Sequence, residues 1–231
     1  MALGNTQTIL AERKQLRDGD VEISERAFNL IIGAMLLWGF LLNFATVALF
    51  GEQVLRLVYG MNPFVFLIAY FALVLVGNVM VVKGGALMSF IGYTLIAAPI
   101  GMVLCLSLQG VPVDVIKSAV LITAIVTLSF MIASTLFPGF FLRLGRVLFF
   151  SLLFMIVGSL INVFLFHSRG YQIYTWLGAG IFSLYIGYDW ARANTCARTV
   201  DNAIDLSASL YLDIINLFIR IVSILSDSKR K

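Results

Sequence analysis

Long uncharged apolar runs alternate with short polar segments along most of the chain. After a polar, mixed-charge start, six such runs each exceed or approach the roughly 20 residues needed to cross a bilayer. They cover residues 27–51, 57–82, 84–113, 118–142, 147–168 and 170–188. A helix satisfies its own backbone hydrogen bonds in lipid, so each run predicts a membrane-spanning helix. The pattern therefore predicts an all-α polytopic membrane protein.

The last apolar stretch, residues 206–225, differs because Asp213 and Arg220 interrupt it. Its polar residues recur at spacings of three, four or seven, which places them on one helical stripe: Asp205, Ser209, Asp213, Asn216, Arg220 and Asp227. One interpretation is an amphipathic helix lying on the membrane surface, although such helices usually carry Lys and Arg on the polar face. The other, which we favour, is a seventh, interior helix whose polar stripe lines a cavity.

These runs define three parts of the chain. Residues 1–26 form a polar N-terminal tail, residues 27–225 a seven-helix membrane domain, and residues 226–231 a basic C-terminal tail. Hydrophobic residues make up 61% of the chain and charged residues only 12%, which excludes an ordinary soluble domain. The surroundings of most of the protein are therefore expected to be the lipid bilayer.

The distribution of the charged residues indicates the orientation in the membrane and argues against a nucleic-acid-binding protein. The net charge is +4, but the cations sit singly between apolar runs, without the clustered basic face that nucleic acid requires. With the N-terminus inside, nine Lys and Arg residues flank the cytoplasmic side and three the other, which favours a cytoplasmic N-terminus. The tail 229–231 lies outside if the seventh helix crosses fully, or inside if that helix re-enters.

Asp189 and Asp213 are the main candidate functional residues, because ionisable groups at membrane depth are costly and usually functional. Both lie twelve positions from Asp201, and Asp201 itself lies within the polar run 192–205. In an antiparallel hairpin turning there, each would sit about eight residues from the turn, roughly 12 Å along its helix. The spacing predicts that the two carboxyl groups face each other.

Such a pair responds to pH. Two ionised carboxylates about 4 Å apart repel by about 4 kcal/mol at an effective dielectric of 20, and the two protons leave in coupled steps. With one proton the pair shares a hydrogen bond and holds its helices together. Doubly ionised, it repels and attracts a hard divalent cation, whose ligands are oxygens. Two carboxylates favour weak binding or passage of such a cation over storage.

Two segments near the C-terminus resemble the motifs of the Bax inhibitor-1 family of membrane proteins. They are Ser183-Leu184-Tyr185-Ile186-Gly187-Tyr188-Asp189 and Ser209-Leu210-Tyr211-Leu212-Asp213-Ile214-Ile215-Asn216-Leu217-Phe218. The resemblance implies seven helices, six of them wrapped around the C-terminal one. It also implies a pH-sensitive calcium leak controlled by protonation of two aspartates, which the motifs place at Asp189 and Asp213.

The resemblance carries further expectations. Family members often have an arginine at the end of the second helix that latches the first aspartate. Here the residue there is Lys83, which offers a point charge without a guanidinium fork. Calcium is expected as the transported ion, with Asp189 and Asp213 as weak ligands, and no cofactor is expected. The membrane would be the plasma membrane in a bacterium, or the ER or Golgi in a eukaryote.

Two other function classes compete with a calcium leak. An intramembrane aspartyl protease also uses two membrane aspartates, but its second aspartate follows Gly-x-Gly, whereas Asp213 follows Leu210-Tyr211-Leu212. A serine hydrolase would have to use the only histidine, His167, which has no Gly-x-Ser-x-Gly run beside it. We therefore expect no enzymatic activity. The remaining alternative is a regulator that binds other membrane proteins, with residues 1–26 as the natural contact surface.

Overall fold

The computed structural model describes residues 21–165 and 171–229, and all regular secondary structure in these ranges is helical. The helices are α1 (Glu25–Gly60), α2 (Pro63–Lys83), α3 (Ala86–Leu108), α4 (Val113–Leu136), α5 (Pro138–Arg143), α6 (Gly145–Leu165), α7 (Tyr171–Ala193) and α8 (Val200–Lys229). The all-α prediction is confirmed for this part of the chain. Residues 1–20 of the N-terminal tail, His167, and residues 230–231 of the C-terminal tail lie outside the described residues.

The first helix is longer than the sequence predicted. We expected it to end near residue 51, but α1 continues to Gly60. The charges that suggested a loop form an ion pair one helical turn apart, Arg56 to Glu52 at 3.5 Å, which is compatible with a continuous helix. The helix stops only before Asn62, whose side chain caps α2 at Pro63.

A proline divides the predicted fourth helix. The run 118–142 was expected to form one helix, but α4 ends at Leu136 and α5 begins at Pro138. Proline lacks a backbone N–H and its ring clashes with the preceding turn, so it starts a helix more readily than it continues one. The predicted span therefore consists of one long and one six-residue helix.

Five of the described helices are long and apolar enough to cross a membrane: α1, α2, α3, α4 and α8. The apolar stretch of α6 at residues 145–158 is shorter. Helix α7 is not among the five. A multi-pass membrane protein is thus supported, while the count of seven spans and the wrapping of six helices around the last one stay predictions.

The chain forms two compact units. The first comprises residues 1–109 with 195–209, and the second comprises residues 110–194 with 210–231. In the first unit, the Tyr93 hydroxyl on α3 donates to the Met35 carbonyl on α1 at 2.8 Å. Helices α2 and α3 approach closely at Gly77 and Gly92, where an added Cβ on Gly77 would lie 2.7 Å from the Gly92 carbonyl oxygen.

The second unit packs α4, α5, α6 and α7 with the later part of α8. The Ser134 hydroxyl on α4 donates to the Gly187 carbonyl on α7 at 2.5 Å. One turn away, the Trp190 indole donates to the Thr135 hydroxyl at 3.0 Å. Phe141 of α5 packs against Gly187, where any Cβ would collide with its ring. These contacts fix the end of α7 that carries Asp189.

Helix α8 is enclosed along almost its whole length. Every residue from 201 to 227 is buried or partly buried, including Leu210 and Leu217 on the apolar face and Asp205 and Asp213 on the polar stripe. A surface helix would leave one face open to solvent or lipid, so burial of both faces favours the interior interpretation over the amphipathic one.

Candidate functional site

Asp189 lies near the C-terminal end of α7, in the part of the helix that packs on α4 and α5. Asp189 is only 5% exposed. Glycine at position 187 allows Phe141 to approach the helix backbone, and Gly145 in the same way receives the ring of Tyr188. The carboxyl group is therefore held on a closely packed, rigid segment.

Asp213 lies in the middle of α8 and is 7% exposed. Its carboxyl group is within hydrogen-bonding reach of the Asp189 carboxyl group, and charges on the two repel. The structure therefore brings together the two residues that the motifs singled out; we call Asp189 and Asp213 the acidic pair. Asp213 Oδ2 is buried and has no hydrogen-bond partner in the described part of the chain.

A cation completes the cluster. Arg192 Nη1 donates to Asp189 Oδ1 at 2.7 Å, and the side chains are 20% and 7% exposed, respectively. The two residues are three positions apart on α7, the spacing that places side chains on one helix face. The Arg192 guanidinium also lies over the Tyr188 ring, 5.6 Å from its centroid, within the range of a cation–π contact.

Two tyrosines flank the acidic pair. Tyr185 is in electrostatic range of both carboxyl groups, and its ring packs edge-on against Tyr188, with centroids 6.4 Å apart. The site thus combines two buried acids, one guanidinium and two phenol rings. This arrangement can hold and release protons and can offer carboxylate oxygens to a cation.

The acidic pair does not arise from the symmetric hairpin that the sequence suggested. Helix α7 ends at Ala193 and α8 begins at Val200, so Asp189 lies about 6 Å from its helix end and Asp213 about 20 Å from its helix start. Residues 200–205 were expected in the turn, yet they are helical because Thr199 caps them, accepting the Asn202 backbone N–H at 3.1 Å. The two carboxyl groups lie within reach of each other, but the symmetric hairpin that we predicted for them is wrong.

The other polar-stripe candidates are divided between the two units. Asp205 and Ser209 belong to the first unit, while Asn216 and Arg220 share the second unit with the acidic pair. The Ser209 hydroxyl donates to the Asp205 carbonyl at 3.5 Å, and the Asn216 amide donates to the Leu212 carbonyl at 2.8 Å. Both bonds stay within α8, so these two side chains need no partner on another helix.

Arg220 is partly buried and lies against α7. A Cβ added to Gly178 would lie 3.0 Å from Arg220 Nε and 3.2 Å from Met155 Sδ. The small glycine therefore makes room for the arginine stem beside α6 and α7. Arg220 lies two helical turns beyond the acidic pair, about 10 Å along α8.

Lys83, the expected latch cation, is the exposed last residue of α2 and belongs to the first unit. Asp189 belongs to the second unit and has a cation on its own helix, Arg192. A role for Lys83 in holding Asp189 stays a prediction. The sequence analysis counted Arg192 only among the cytoplasmic cations; its three-residue spacing from Asp189 is the signal that could have predicted this ion pair.

The sequence analysis also did not predict a second polar contact. The Ser89 hydroxyl, fully buried on α3, donates to Asp201 Oδ1 at 2.5 Å, and it also lies 3.1 Å from the Val81 carbonyl oxygen. Asp201, which we had placed at the midpoint of a turn, thus fixes the start of α8 within the first unit. Only the fold reveals this pairing, because Ser89 and Asp201 are far apart in the chain.

No group of three or more His, Cys, Asp or Glu side chains suited to a metal ion occurs among the described residues. The acidic pair offers two carboxylates, and calcium usually takes six to eight oxygen ligands. The pair alone therefore provides only part of a coordination shell for calcium.

Comparison with known proteins identifies the family. The model of the family described as "Inhibitor of apoptosis-promoting Bax1" matches residues 23–230. An uncharacterized protein of Helicobacter pylori is 40% identical over 83 residues, which are 36% of this chain and 35% of that protein. An uncharacterized protein of Campylobacter jejuni is 33% identical over 85 residues, or 37% and 36% of the two chains. Each of these matches thus covers little more than a third of the relative's length.

The family match spans nearly the whole chain and includes both helices of the acidic pair, so this protein belongs to the Bax inhibitor-1 family.

Proposed function

We propose that this protein is a pH-sensitive calcium-leak channel or transporter, gated by protonation of Asp189 and Asp213. The observation that carries the proposal is the meeting of two buried carboxyl groups from α7 and α8, within hydrogen-bonding reach of each other. Buried acids are costly unless they are paired or protonated. Their retention on a closely packed segment is most simply explained by a role that uses their charge.

The mechanism follows from the charge on the pair. At low pH one carboxyl group keeps a proton and donates to the other, so the hydrogen bond joins α7 to α8. When the pH rises and this proton leaves, the carboxylates repel by about 4 kcal/mol at a separation of about 4 Å and an effective dielectric of 20. The contact then loosens and its oxygens attract a calcium ion. Calcium flux should therefore increase as the pH rises.

The described part of the chain suits a membrane setting. Five helices are long and apolar enough to span, and the relatives reported above are bacterial. We therefore propose the bacterial plasma membrane as the location. Helix α8 would line the pathway with its polar stripe, on which Asn216 and Arg220 follow the acidic pair within the second unit.

The test is calcium flux into liposomes that contain only the purified protein, measured across a pH series. The matched variants are Asp213→Asn and Asp205→Asn, which remove one carboxylate each from the same stripe of α8. Asp213→Asn should flatten the pH profile, because the remaining Asp189 has no carboxylate to repel. Asp205→Asn should keep the wild-type profile.

Two results would contradict the proposal. Identical pH profiles for the two variants would remove the sensor role of the acidic pair. Absence of flux from the pure protein would favour the alternative, a regulator that acts by binding other membrane proteins, since a leak pathway works without partners.

A further inference from the structure

The charge balance around the acidic pair depends on a residue outside the family motifs, Arg192. The charged and titratable side chains that interact with Asp189 and Asp213 are Tyr185, Tyr188 and Arg192, all on α7. Elsewhere in this unit, Arg143 ends α5 and Arg146 lies in the first turn of α6. Arg143 and Arg146 are exposed to solvent, whereas Arg192 is largely buried and bonded to Asp189. Helix α4 contributes the uncharged Ser134 and Thr135 to this region.

We propose that Arg192 is a tethered counter-ion that competes with the transported cation for the Asp189 carboxylate. This inference rests on the proposed function and adds to it a residue that sets cation affinity. Arg192 Nη1 occupies Asp189 Oδ1 at 2.7 Å, an oxygen that a calcium ion would need as a ligand. Arg192 is a positioning residue, since it acts on the ion through Asp189.

Counting charges shows why the two cations exclude each other. With one proton on the acidic pair and Arg192 in place, the cluster has no net charge. With the pair fully ionised and Arg192 in place, the charge is −1, and adding calcium would bring it to +1. Calcium without Arg192 restores zero. Because a buried net charge is costly, the neutral states are favoured, and calcium enters as the guanidinium leaves.

Two features of the structure allow the Arg192 guanidinium to release Asp189 and still keep a contact on α7. Its side chain is 20% exposed, so the guanidinium already reaches the edge of the buried region. The Tyr188 ring, 5.6 Å from the guanidinium carbon, provides a second contact that does not involve Asp189. Asp213 Oδ2 is buried and has no hydrogen-bond partner in the described part of the chain. This oxygen is therefore available as a ligand to the incoming cation.

The first experiment measures the calcium dependence of flux in liposomes, at a pH above the midpoint of the wild-type pH profile. Arg192→Gln should lower the calcium concentration for half-maximal flux by about tenfold, equivalent to about 1.4 kcal/mol. Arg192→Lys, which keeps a cation, should stay near the wild type. Arg198→Gln is the matched control, because Arg198 forms an exposed ion pair with Glu25 at 3.1 Å and should leave the calcium dependence unchanged.

The second experiment does not depend on flux. The infrared band of protonated carboxyl groups is followed in purified protein against pH, with Asp189→Asn identifying the contribution of the pair. Without calcium, Arg192→Gln should move the midpoint upwards by about one pH unit, since a counter-ion worth about 1.4 kcal/mol is lost. Added calcium should lower the midpoint, and more so in Arg192→Gln than in the wild type.

The outcomes separate the inference from the proposed function. If the wild type carries no calcium but the infrared midpoints shift as stated, the transport function fails while competition at Asp189 stands. If folded Arg192→Gln protein titrates like the wild type with and without calcium, the inference is overturned, whatever the flux. A loss of flux in both Arg192→Gln and Arg192→Lys with unchanged titration would show a merely structural role and would also overturn it.

Discussion

At the residue scale, Asp189 and Asp213 form one buried cluster, because each carboxyl group lies within reach of the other. Neither carboxyl group can change its charge without changing the energy of its neighbour. In the function that we propose, this coupling is the source of the pH response.

Coupling predicts a specific pattern among asparagine variants. Asp189→Asn and Asp213→Asn each abolish the repulsion within the pair, so the double variant should show the same pH profile of calcium flux as either single variant. The measurement is the liposome flux series described above. Additive effects of the two substitutions would show that the carboxyl groups do not interact.

Arg220 tests a different electrostatic role on the same helix. It lies against Gly178, two turns beyond Asp213, too far along one helix for a direct bond to the acidic pair. In the proposed pathway, a positive charge at this position repels calcium, so Arg220→Gln should raise flux at every pH while leaving the midpoint of the profile in place. Unaltered flux in a folded variant would instead assign Arg220 to anchoring at the membrane interface.

At the scale of elements, close helix contacts depend on glycines. A Cβ on Gly92 would lie 2.6 Å from the Gly77 carbonyl oxygen and 2.9 Å from Met80 Cβ. Neither obstacle is the flexible end of a side chain, so α2 and α3 would have to move apart. This contact holds α2, which ends at Lys83, against α3, which begins at Ala86.

Two glycine substitutions should therefore have opposite effects. Gly92→Ala should destabilise the purified protein by about 1–3 kcal/mol, the usual cost of overpacking. Gly33→Ala on α1, where nothing lies within 4 Å of the added Cβ, should be neutral or stabilise by up to about 1 kcal/mol through helix propensity. Thermal unfolding in detergent measures both. Equal melting temperatures would show that α2 and α3 separate at no cost.

At the scale of the whole molecule, the balance of cations between the two sides predicts its orientation in the membrane. The sequence places Lys83 on the cytoplasmic side and Arg56 on the other, and the described helices put a short connection near each of them, at residues 61–62 and 84–85. Glycines beside these connections provide sites for labelling: Gly60 and Gly85 are exposed, and nothing lies within 4 Å of an added Cβ on either.

Labelling introduced cysteines tests this orientation. In a background with Cys105 and Cys196 replaced by serine, a membrane-impermeant maleimide should label Gly60→Cys in intact cells. Gly85→Cys should be labelled only after permeabilisation, because the predicted orientation places it on the cytoplasmic side. The reverse pattern would place the N-terminus outside.

The sequence alone determined the properties that depend on local pattern. Uncharged runs of membrane length predicted the all-α class, and the polar stripe from Asp205 to Asp227 predicted an enclosed last helix, since these features follow from residue spacing along one helix. The two aspartates were also identified from sequence, by the unusual depth of their charges and by the motifs around them. Helix bounds were predicted less well, because pairs such as Glu52 with Arg56 and caps such as Thr199 turn apparent loops into helix.

Tertiary structure decided what meets the acidic pair. Asp213 reaches Asp189 although the turn between their helices lies at unequal distances from the two residues, a geometry that no count of positions provides. Phe141 at Gly187 and Tyr188 at Gly145 fix the packing of α7, and this packing buries the local ion pair between Arg192 and Asp189. Contacts between side chains far apart in the chain depend on how helices pack, and packing is a property of the folded molecule rather than of any one segment.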